Sequence, residues 1–250
     1  MDDLIKKAAE FIRQKKAVTV FTGAGISAES GISTYRDEQT GLWENHDPML
    51  YATSVGFLLQ PDVAWKWYLY RREEMGKAQP NPAHIHVAKL QELKPDTAII
   101  TQNVDDLHER AGSENITHLH GSIYVNHCFE NCQGVPTVID ELPDSDELPP
   151  KCLHCGKMLR PGVVWFGEVL PVLSVRAMRE RIAKTDLLLV IGLSGAITYG
   201  VPEIVKNEND GIVIEINPNE SAITPFADVF IQEKAGIAMP ELIAALEKEQ

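Results

Sequence analysis

The chain has 250 residues, a hydrophobic content of 44% and a formal net charge of −13. This length allows a sizeable core in one large or two small domains. The negative charge argues against direct binding to nucleic acid, which depends on neutralising phosphates. No apolar run approaches the roughly 18 residues that a membrane span needs, and the first residues lack the basic start and apolar centre of a signal peptide. We therefore expect a cytoplasmic protein with no membrane attachment.

Helix and strand patterns alternate along the chain. Apolar residues between Leu4 and Ile12 recur at helical spacing, so an amphipathic helix should come first. Short β-branched runs typical of buried strands occupy residues 17–21, 97–101, 187–191 and 212–216. Helices are predicted at residues 63–75, 82–93, 104–111 and 175–184. This alternation predicts an α/β fold, with a parallel sheet covered by helices on both faces.

A glycine-rich turn follows the first predicted strand. Gly23, Gly25 and Ala28 fit the dinucleotide pattern G-x-G-x-x-G/A, and a helix is expected to begin there. Backbone amides at such a turn can bind a pyrophosphate, although a tight turn without a ligand explains the triplet equally well. Residues 39–48 read as a loop where the usual second strand and its acidic residue would stand. Any dinucleotide should therefore be held differently from that of an ordinary dehydrogenase.

The four cysteines form two close pairs, Cys128/Cys132 and Cys152/Cys155. This spacing fits a closed tetrahedral zinc site, and four sulfur ligands leave no open position for catalysis. Four reduced thiols without metal are the alternative, and His127 or His154 could replace one thiol. The thiols are the preferred ligands. Residues 133–151, rich in proline and acids, should form a loop inside an inserted zinc module.

Polar residues follow the predicted strand 97–101. Gln102, Asn103 and Asp105 lie at its carboxyl end, where α/β sheets bind ligands. Alternatively, Asn103 or Asp105 caps the next helix. Further along, His118 and His120 share one face of an extended segment. Histidine is the commonest general base, although a lone histidine is more often structural.

These motifs together resemble the sirtuin family. They comprise residues 23–27 and 30–32, Tyr35-Arg36, residues 101–105, Leu119-His120-Gly121, the cysteine pairs and residues 164–168, in order from about residue 17 to 236. The resemblance implies an NAD-dependent protein-lysine deacylase acting on acyl-lysine proteins or peptides. It implies a large Rossmann-like domain at about 1–36, 93–121 and 160–250. The small domain would comprise a helical part at about 37–92 and a zinc-ribbon-like module at 122–159.

The family chemistry implies roles for individual residues. Nicotinamide would leave as the acyl-lysine oxygen attacks the ribose, and His120 would act as the base for the ribose hydroxyls, giving O-acyl-ADP-ribose. Asn103 and Asp105 would position the nicotinamide ribose and carboxamide. The implied NAD-binding residues are Gly23, Ala24, Gly25, Ile26, Ser27, Tyr35, Arg36, Gln102, Asn103, Asp105, Gly192, Leu193, Ser194, Asn217, Pro218 and Ala235. Leu193 stands where the family usually has threonine, which removes a hydroxyl from the adenosine side.

Substrate recognition is implied at two places. Val164, Phe166, Gly167 and Glu168 resemble the strand that pairs with an extended peptide. Tyr68 and Arg71, at i and i+3, resemble the Tyr-x-x-Arg of sirtuins that remove succinyl, malonyl and glutaryl groups, and Ala28 also matches that class. A phenol and a guanidinium on one helix face can grip a carboxylate. Acetyl-lysine should still be accepted.

Alternatives remain open at the level of the sequence. Trp65, Trp67, Tyr68 and Tyr70 could pack a core, with Arg71 and Arg72 on a solvated face. An ADP-ribosyltransferase on the same scaffold would share NAD and His120 but retain ADP-ribose on protein. A non-catalytic zinc-ribbon binding module is a third interpretation, which the negative charge disfavours.

Overall fold

The computed structural model describes residues 1–33, 48–144 and 146–248. In chain order the strands are β1 (Val18–Thr22), β2 (Thr97–Thr101), β3 (Ile116–His118), β4 (Gly121–Cys128), β5 (Val138–Ile139), β6 (Leu159–Val163), β7 (Leu187–Ile191), β8 (Ile212–Ile216) and β9 (Val229–Ile231). The helices are α1 (Asp2–Gln14), α2 (Pro48–Tyr51), α3 (Ser54–Leu59), α4 (Pro61–Lys77), α5 (Pro82–Leu93), α6 (Leu107–Arg110), α7 (Val172–Ile182), α8 (Val201–Asn207) and α9 (Ala235–Glu247).

The described residues divide into two compact units. The first comprises residues 1–33, 79–119 and 172–248, and the second comprises residues 48–78, 120–144 and 146–171. The predicted small domain extended to residue 92, whereas α5 is part of the first unit. Ala83, Val87 and Leu90 of α5 are buried in that unit's core, so this helix packs with the large sheet. None of the helices among the described residues is long and apolar enough to cross a membrane.

The first unit is built on a six-stranded parallel sheet in the order β3-β2-β1-β7-β8-β9. β1 is central, with Val18 beside Thr97 on one side and Leu187 on the other. Every residue of β1, β2 and β7 is buried, as expected for parallel strands that are covered on both faces. The strand order reverses between β1 and β7, the switch point at which doubly wound sheets bind ligands.

Helices cover both faces of this sheet, as predicted. One apolar cluster joins α1, α5 and α9 to residues such as Val20 and Ile99. A second cluster places Met178 of α7 and Val205 of α8 against Phe21 and its neighbours on the opposite face. Because successive side chains of a strand alternate between faces, the four strands β1, β2, β7 and β8 supply both cores.

The second unit contains the antiparallel sheet β5-β4-β6 and the helices α2, α3 and α4. α4 buries Ala64, Tyr68, Arg71 and Met75, which recur every three or four residues along one face. The stacked rings of Phe57 and Phe129, 5.9 Å apart between centroids, belong to the aromatic core of this unit.

Most predicted elements lie where the sequence placed them. β2, β7 and β8 have the predicted bounds, and β1 is shifted by one residue. The helix predicted after the glycine-rich turn was wrong, because residues 24–26 and 28–30 form two 3₁₀ turns. The helix predicted at 104–111 is shortened to α6, since the Asp105 carboxylate accepts a hydrogen bond from the Leu107 amide at its start. The predicted loop 133–151 contains the short strand β5.

Candidate functional site

The switch point of the first unit brings two loops into backbone contact. The Gly25 amide donates to the Gly192 carbonyl at 2.9 Å. A Cβ on Gly25 would lie 2.7 Å from Gly192 Cα, and Gly192 itself has a φ of +63°. Both glycines are therefore needed so that the loop after β1 can touch the loop after β7.

Four backbone amides of this turn donate either within the turn or to the end of β7 and the loop after it. The Gly23 and Gly25 amides donate to the carbonyls of Ile191 and Gly192. The Ile26 and Ser27 amides donate to the carbonyls of Gly23 and Ala24. These four amides are therefore hydrogen-bonded within the protein. The glycines provide a close approach between the loops after β1 and β7.

Such side chains lie at the ends of β1 and β2. The Ser27 hydroxyl donates to Asp105 Oδ2 at 2.9 Å and accepts from Asn103 Nδ2 at 3.0 Å. All three residues are buried, and burial raises the pKa of the Asp105 carboxyl although its hydrogen bonds from Leu107 and Ser27 act in the opposite direction. The structure therefore brings together Ser27, Asn103 and Asp105, three of the predicted site residues, and we call them the polar cluster.

Two histidines that the sequence did not indicate lie next to the polar cluster. His84 Nε2 is 3.4 Å from Ser27 Oγ, and His108 Nε2 is 3.0 Å from Thr22 Oγ1. Burial lowers the pKa of His84 to about 4 and that of His108 to about 3, so both rings are neutral near pH 7. The sequence did contain a sign that His84 is a structured residue. Asn81 caps α5, and His84, three residues later, is its partner in a capping box.

The predicted adenosine-side residues lie along the ends of β7 and β8. Asn217 Nδ2 donates to the Leu193 carbonyl at 2.6 Å, which ties these two loops together. Leu193 is buried in the core, while Ser194 and Pro218 are exposed. Leucine in place of threonine at this position thus packs against apolar neighbours.

Four further residues predicted to bind NAD are Gln102, Ala235, Tyr35 and Arg36. Gln102 Nε2 donates to the Ile197 carbonyl at 2.7 Å. Ala235 begins α9, where the Glu29 carboxylate accepts from the Gly236 amide at 2.7 Å. Tyr35 and Arg36 lie outside the described residues.

The four cysteines of the second unit converge. Their sulfur atoms all lie within 4.8 Å of one another, with Cys128 and Cys155 3.6 Å apart and Cys132 and Cys152 3.8 Å apart. A tetrahedron with Zn–S bonds of about 2.3 Å has edges of about 3.8 Å, so the arrangement fits zinc. The thiol set is the one predicted, without either neighbouring histidine.

Tyr68 and Arg71 share the buried face of α4, as predicted. The Tyr68 hydroxyl donates to the Tyr51 carbonyl at 3.2 Å and accepts from Trp165 Nε1 at 2.8 Å. Burial raises the pKa of Tyr68, so the phenol stays protonated. Arg71 is only 9% exposed, with its guanidinium 5.8 Å from the centre of the Trp67 ring. The alternative of a solvated face is therefore wrong for Arg71.

The neighbouring Arg72 has a different environment. Its guanidinium donates to the Ile123 carbonyl at 2.5 Å and to Asn126 Oδ1 at 2.7 Å. These bonds fasten α4 to β4, so the Arg72 guanidinium is engaged in holding the helix to the sheet.

The segment 164–168 is a turn and not the strand that the resemblance implied. β6 ends at Val163, and the Glu168 amide donates back to the Trp165 carbonyl at 3.0 Å. The Glu168 carboxylate is bound by Arg160 at 2.5 and 2.9 Å and by the Ser54 hydroxyl at 3.0 Å. Glu168 therefore fixes this turn from within.

His120 is half-buried at the start of the second unit. Its carbonyl accepts from the Val164 amide at 2.9 Å, which joins it to the turn just described. Phe166 is half-exposed in that turn, and its amide donates to the Ala52 carbonyl at 2.8 Å.

A doubly wound sheet with a polar cluster at its switch point, together with a four-cysteine module, defines an α/β protein equipped for a nucleotide and a structural metal. The Sir2 family model matches residues 23–198, and the chain belongs to this family.

Relatives of known name extend over nearly the whole chain. The NAD-dependent protein deacylase 1 of Archaeoglobus fulgidus is 45% identical over 97% of this chain and 98% of the relative. The NAD-dependent protein deacylase of Pseudomonas putida is 40% identical over 96% of this chain and 94% of the relative.

Solved structures of Sir2 proteins also resemble this chain over nearly its whole length. A Sir2 homologue in complex with NAD superposes with a TM-score of 0.88 at 43% identity, covering 97% of this chain and 94% of that one. A Sir2 protein bound to a myristoylated histone peptide has a TM-score of 0.76 at 31% identity, covering 99% and 98% of the two chains.

Proposed function

We propose that this protein removes acyl groups from lysine side chains of proteins at the expense of NAD, and that it prefers acyl groups ending in a carboxylate, such as succinyl and malonyl. The NAD-dependent deacylases among its relatives support the reaction. The observation that carries the acyl preference is the buried pair Tyr68 and Arg71 on α4.

The polar cluster supports binding of the nicotinamide ribose. Asn103 and Asp105 are held by Ser27 in a buried, hydrogen-bonded arrangement. NAD, when bound, supplies a ribose carbon from which nicotinamide can leave. Asn103 and Asp105 would orient that ribose and its carboxamide, and the loops at Gly192 and Asn217 would hold the adenosine side.

His120 would be the general base of the reaction. An imidazole titrates near neutrality, so it can take a proton from a ribose hydroxyl at physiological pH. The neutral rings of His84 and His108 are poor candidates, since burial makes protonation of either ring unfavourable.

The acyl preference follows from the buried guanidinium. Arginine offers two parallel donors to a carboxylate, and such a charge-assisted contact is stronger than one to a neutral acyl group. The Tyr68 hydroxyl already donates to the Tyr51 carbonyl, so Arg71 is the principal partner of the acyl carboxylate. Tyr68 would join by redirecting its one donor, while the bond from Trp165 keeps its oxygen in place.

The cysteine site would hold one structural zinc ion. Four thiolates close the tetrahedron, so the metal stabilises the second unit and takes no part in the reaction. Cysteines used as metal ligands suit a reducing compartment, which supports a cytoplasmic location. The net charge of −13 supports protein substrates and disfavours nucleic acid.

A comparison of two matched peptides tests the acyl preference. One peptide carries succinyl-lysine and the other acetyl-lysine at the same position, and kcat/KM is measured for each with saturating NAD. We expect the succinyl peptide to be preferred, and Arg71→Met to lower its kcat/KM by about 100-fold through loss of a charge-assisted, bidentate contact.

The matched control is Arg176→Met, which removes an exposed arginine that pairs with Glu180 on its own helix. This variant should leave both kcat/KM values unchanged. Equal use of the two peptides by the parent protein would contradict the acyl preference and leave the deacylase activity standing.

A further inference from the structure

His118, the last residue of β3, has an oxygen atom at hydrogen-bonding distance from each of its ring nitrogens. Nδ1 lies 3.0 Å from the Asn103 carbonyl oxygen, and Nε2 lies 2.7 Å from Glu109 Oε1. A carbonyl and a carboxylate only accept hydrogen bonds. Both ring nitrogens must therefore carry a hydrogen, and only the imidazolium form of histidine satisfies that requirement.

The surroundings of the ring favour this charged form. Burial acts to lower the pKa of His118, but the bonds to Glu109 and Asn103 and the charges of Glu109 and Asp105 outweigh it and raise the pKa overall. Burial likewise acts to raise the pKa of Glu109, yet its bond to His118 lowers it overall. The two shifts have the signs expected of an ion pair.

The elements next to β3 carry further ionisable groups, among them an uncharged histidine and two arginines that have carboxylate partners. His108, on the same helix as Glu109, is buried and neutral near pH 7. On α7, which also packs against β3, Arg176 binds Glu180 and Arg181 binds Asp96.

The ring of His118 contacts the chain on both sides of Asp105, at Asn103 before it and at Glu109 after it. Asn103 begins the segment 103–105, and Glu109 lies beyond it, in α6. The Asn103 side chain donates through Nδ2 to the Ser27 hydroxyl, and the Asn103 backbone carbonyl is bound to His118 Nδ1. A neutral imidazole has a single N–H group, so loss of the proton must release either Asn103 or Glu109.

We propose that His118 is a positioning residue whose imidazolium holds the segment 103–105 in the conformation that binds NAD, so that binding of NAD weakens when His118 loses its proton. This inference rests on the role given above to Asn103 and Asp105. Because the pKa is raised in the folded protein, the restraint is complete at low pH and is lost as the pH rises through that folded pKa.

The expected pH dependence has the opposite sign from that of a general base. His120 must be deprotonated to act, so its titration makes kcat rise with pH. Loss of the His118 proton instead makes the KM for NAD rise with pH. The two histidines, although only two residues apart in the chain, can therefore be separated by measuring kcat and KM independently.

The test is the KM for NAD, with a saturating acyl-lysine peptide, across the titration range of histidine. In the parent protein the KM should increase by about tenfold on the alkaline side, as expected for loss of one charge-assisted hydrogen bond. His118→Gln should have the high KM at every pH. Glu109→Gln removes the carboxylate that raises the pKa of His118, so the increase in KM should begin at a lower pH.

Two controls keep this test specific. His86→Gln changes a histidine whose Nδ1 is bound to the Pro82 carbonyl within α5, and it should leave the KM profile unchanged. The His118 ring resonances, followed by NMR against pH, report its protonation without any turnover, and the melting temperature of each variant reports folding.

The outcomes separate the inference from the proposed function. Parent and Glu109→Gln proteins with the same KM profile, or a His118 ring that is neutral at low pH, would overturn the inference. A parent protein that shows the expected His118 titration but no turnover with NAD would instead overturn the proposed function.

Discussion

The polar cluster of the first unit stands at strand ends, whereas the pair Tyr68 and Arg71 of the second unit stands on a helix held by distant side chains. Ser27, Asn103 and Asp105 follow β1 and β2 by a few residues, so the parallel pairing of these strands places them together. Tyr68 is fixed by Trp165, which lies 97 residues further along the chain. The first arrangement depends on topology, and the second depends on packing between side chains that are far apart in the sequence.

The largest effect should come from removing the metal that supports the smaller unit. Cys152→Ser should lose the zinc, since three thiolates no longer close the site, and the second unit should unfold. Structural zinc contributes on the order of 10 kcal/mol of folding free energy in small zinc domains. Zinc content by elemental analysis and the melting temperature measure this.

The control for that change lies between the paired ligands. Leu153 is 63% exposed, so Leu153→Ser alters the same loop without touching a thiol and should retain the metal. If Cys152→Ser keeps both its zinc and its melting temperature, the structural site is not where we place it.

The next-largest effect should come from a change in the polar cluster of the first unit. Asp105→Asn keeps the shape of the side chain but removes the charge that accepts from Ser27 and Leu107. We expect kcat/KM for NAD to fall by about 10- to 100-fold, the range for losing hydrogen bonds to a charged group. Steady-state kinetics measure this, and an unchanged kcat/KM would remove Asp105 from the site.

A smaller effect is expected on the free energy of unfolding, and it should differ between two glutamate–arginine ion pairs. Glu168 is bound by Arg160, Ser54 and the Trp165 amide, and we expect Glu168→Gln to lower the free energy of unfolding by about 2 kcal/mol. Glu180→Gln breaks an exposed pair with Arg176 and should have no measurable effect. Urea denaturation compares them, and equal effects would contradict the anchoring role of Glu168.

The smallest effect is the pH dependence of the buried histidines. The pKa of His84 is about 4 in the folded protein, against about 6.5 when unfolded, so the unfolded state binds more protons between these values. Stability should therefore fall as the pH drops from about 6.5 toward 4. His84→Gln should reduce this fall, measured as the difference in unfolding free energy between pH 7 and pH 5. An identical pH dependence would mean that His84 does not titrate as described.

The sequence predicted best what depends on local pattern. β2, β7 and β8 were found from their β-branched runs alone, and the cysteine spacing indicated the four thiols that the structure brings together. Tyr68 and Arg71 were placed on one helix face because helical periodicity fixes that relation.

What the sequence could not supply depends on contacts between distant segments. The glycine triplet predicted amides directed at a ligand, but Gly25 is used to approach Gly192, 167 residues away. Arg72 and Glu168 looked like surface or substrate residues, and their partners Asn126 and Arg160 lie on strands that the pattern did not reveal. Short strands such as β3 and β6 lack the long periodicity from which elements can be predicted.

The most direct measurement of the central claim follows both products of a single reaction. The parent protein is incubated with a succinyl-lysine peptide, with and without NAD, and the free peptide and nicotinamide are quantified by mass spectrometry. We predict deacylated peptide and nicotinamide in equal amounts, and no deacylation without NAD. Nicotinamide released without deacylated peptide, with ADP-ribose retained on protein, would contradict the account and indicate an ADP-ribosyltransferase.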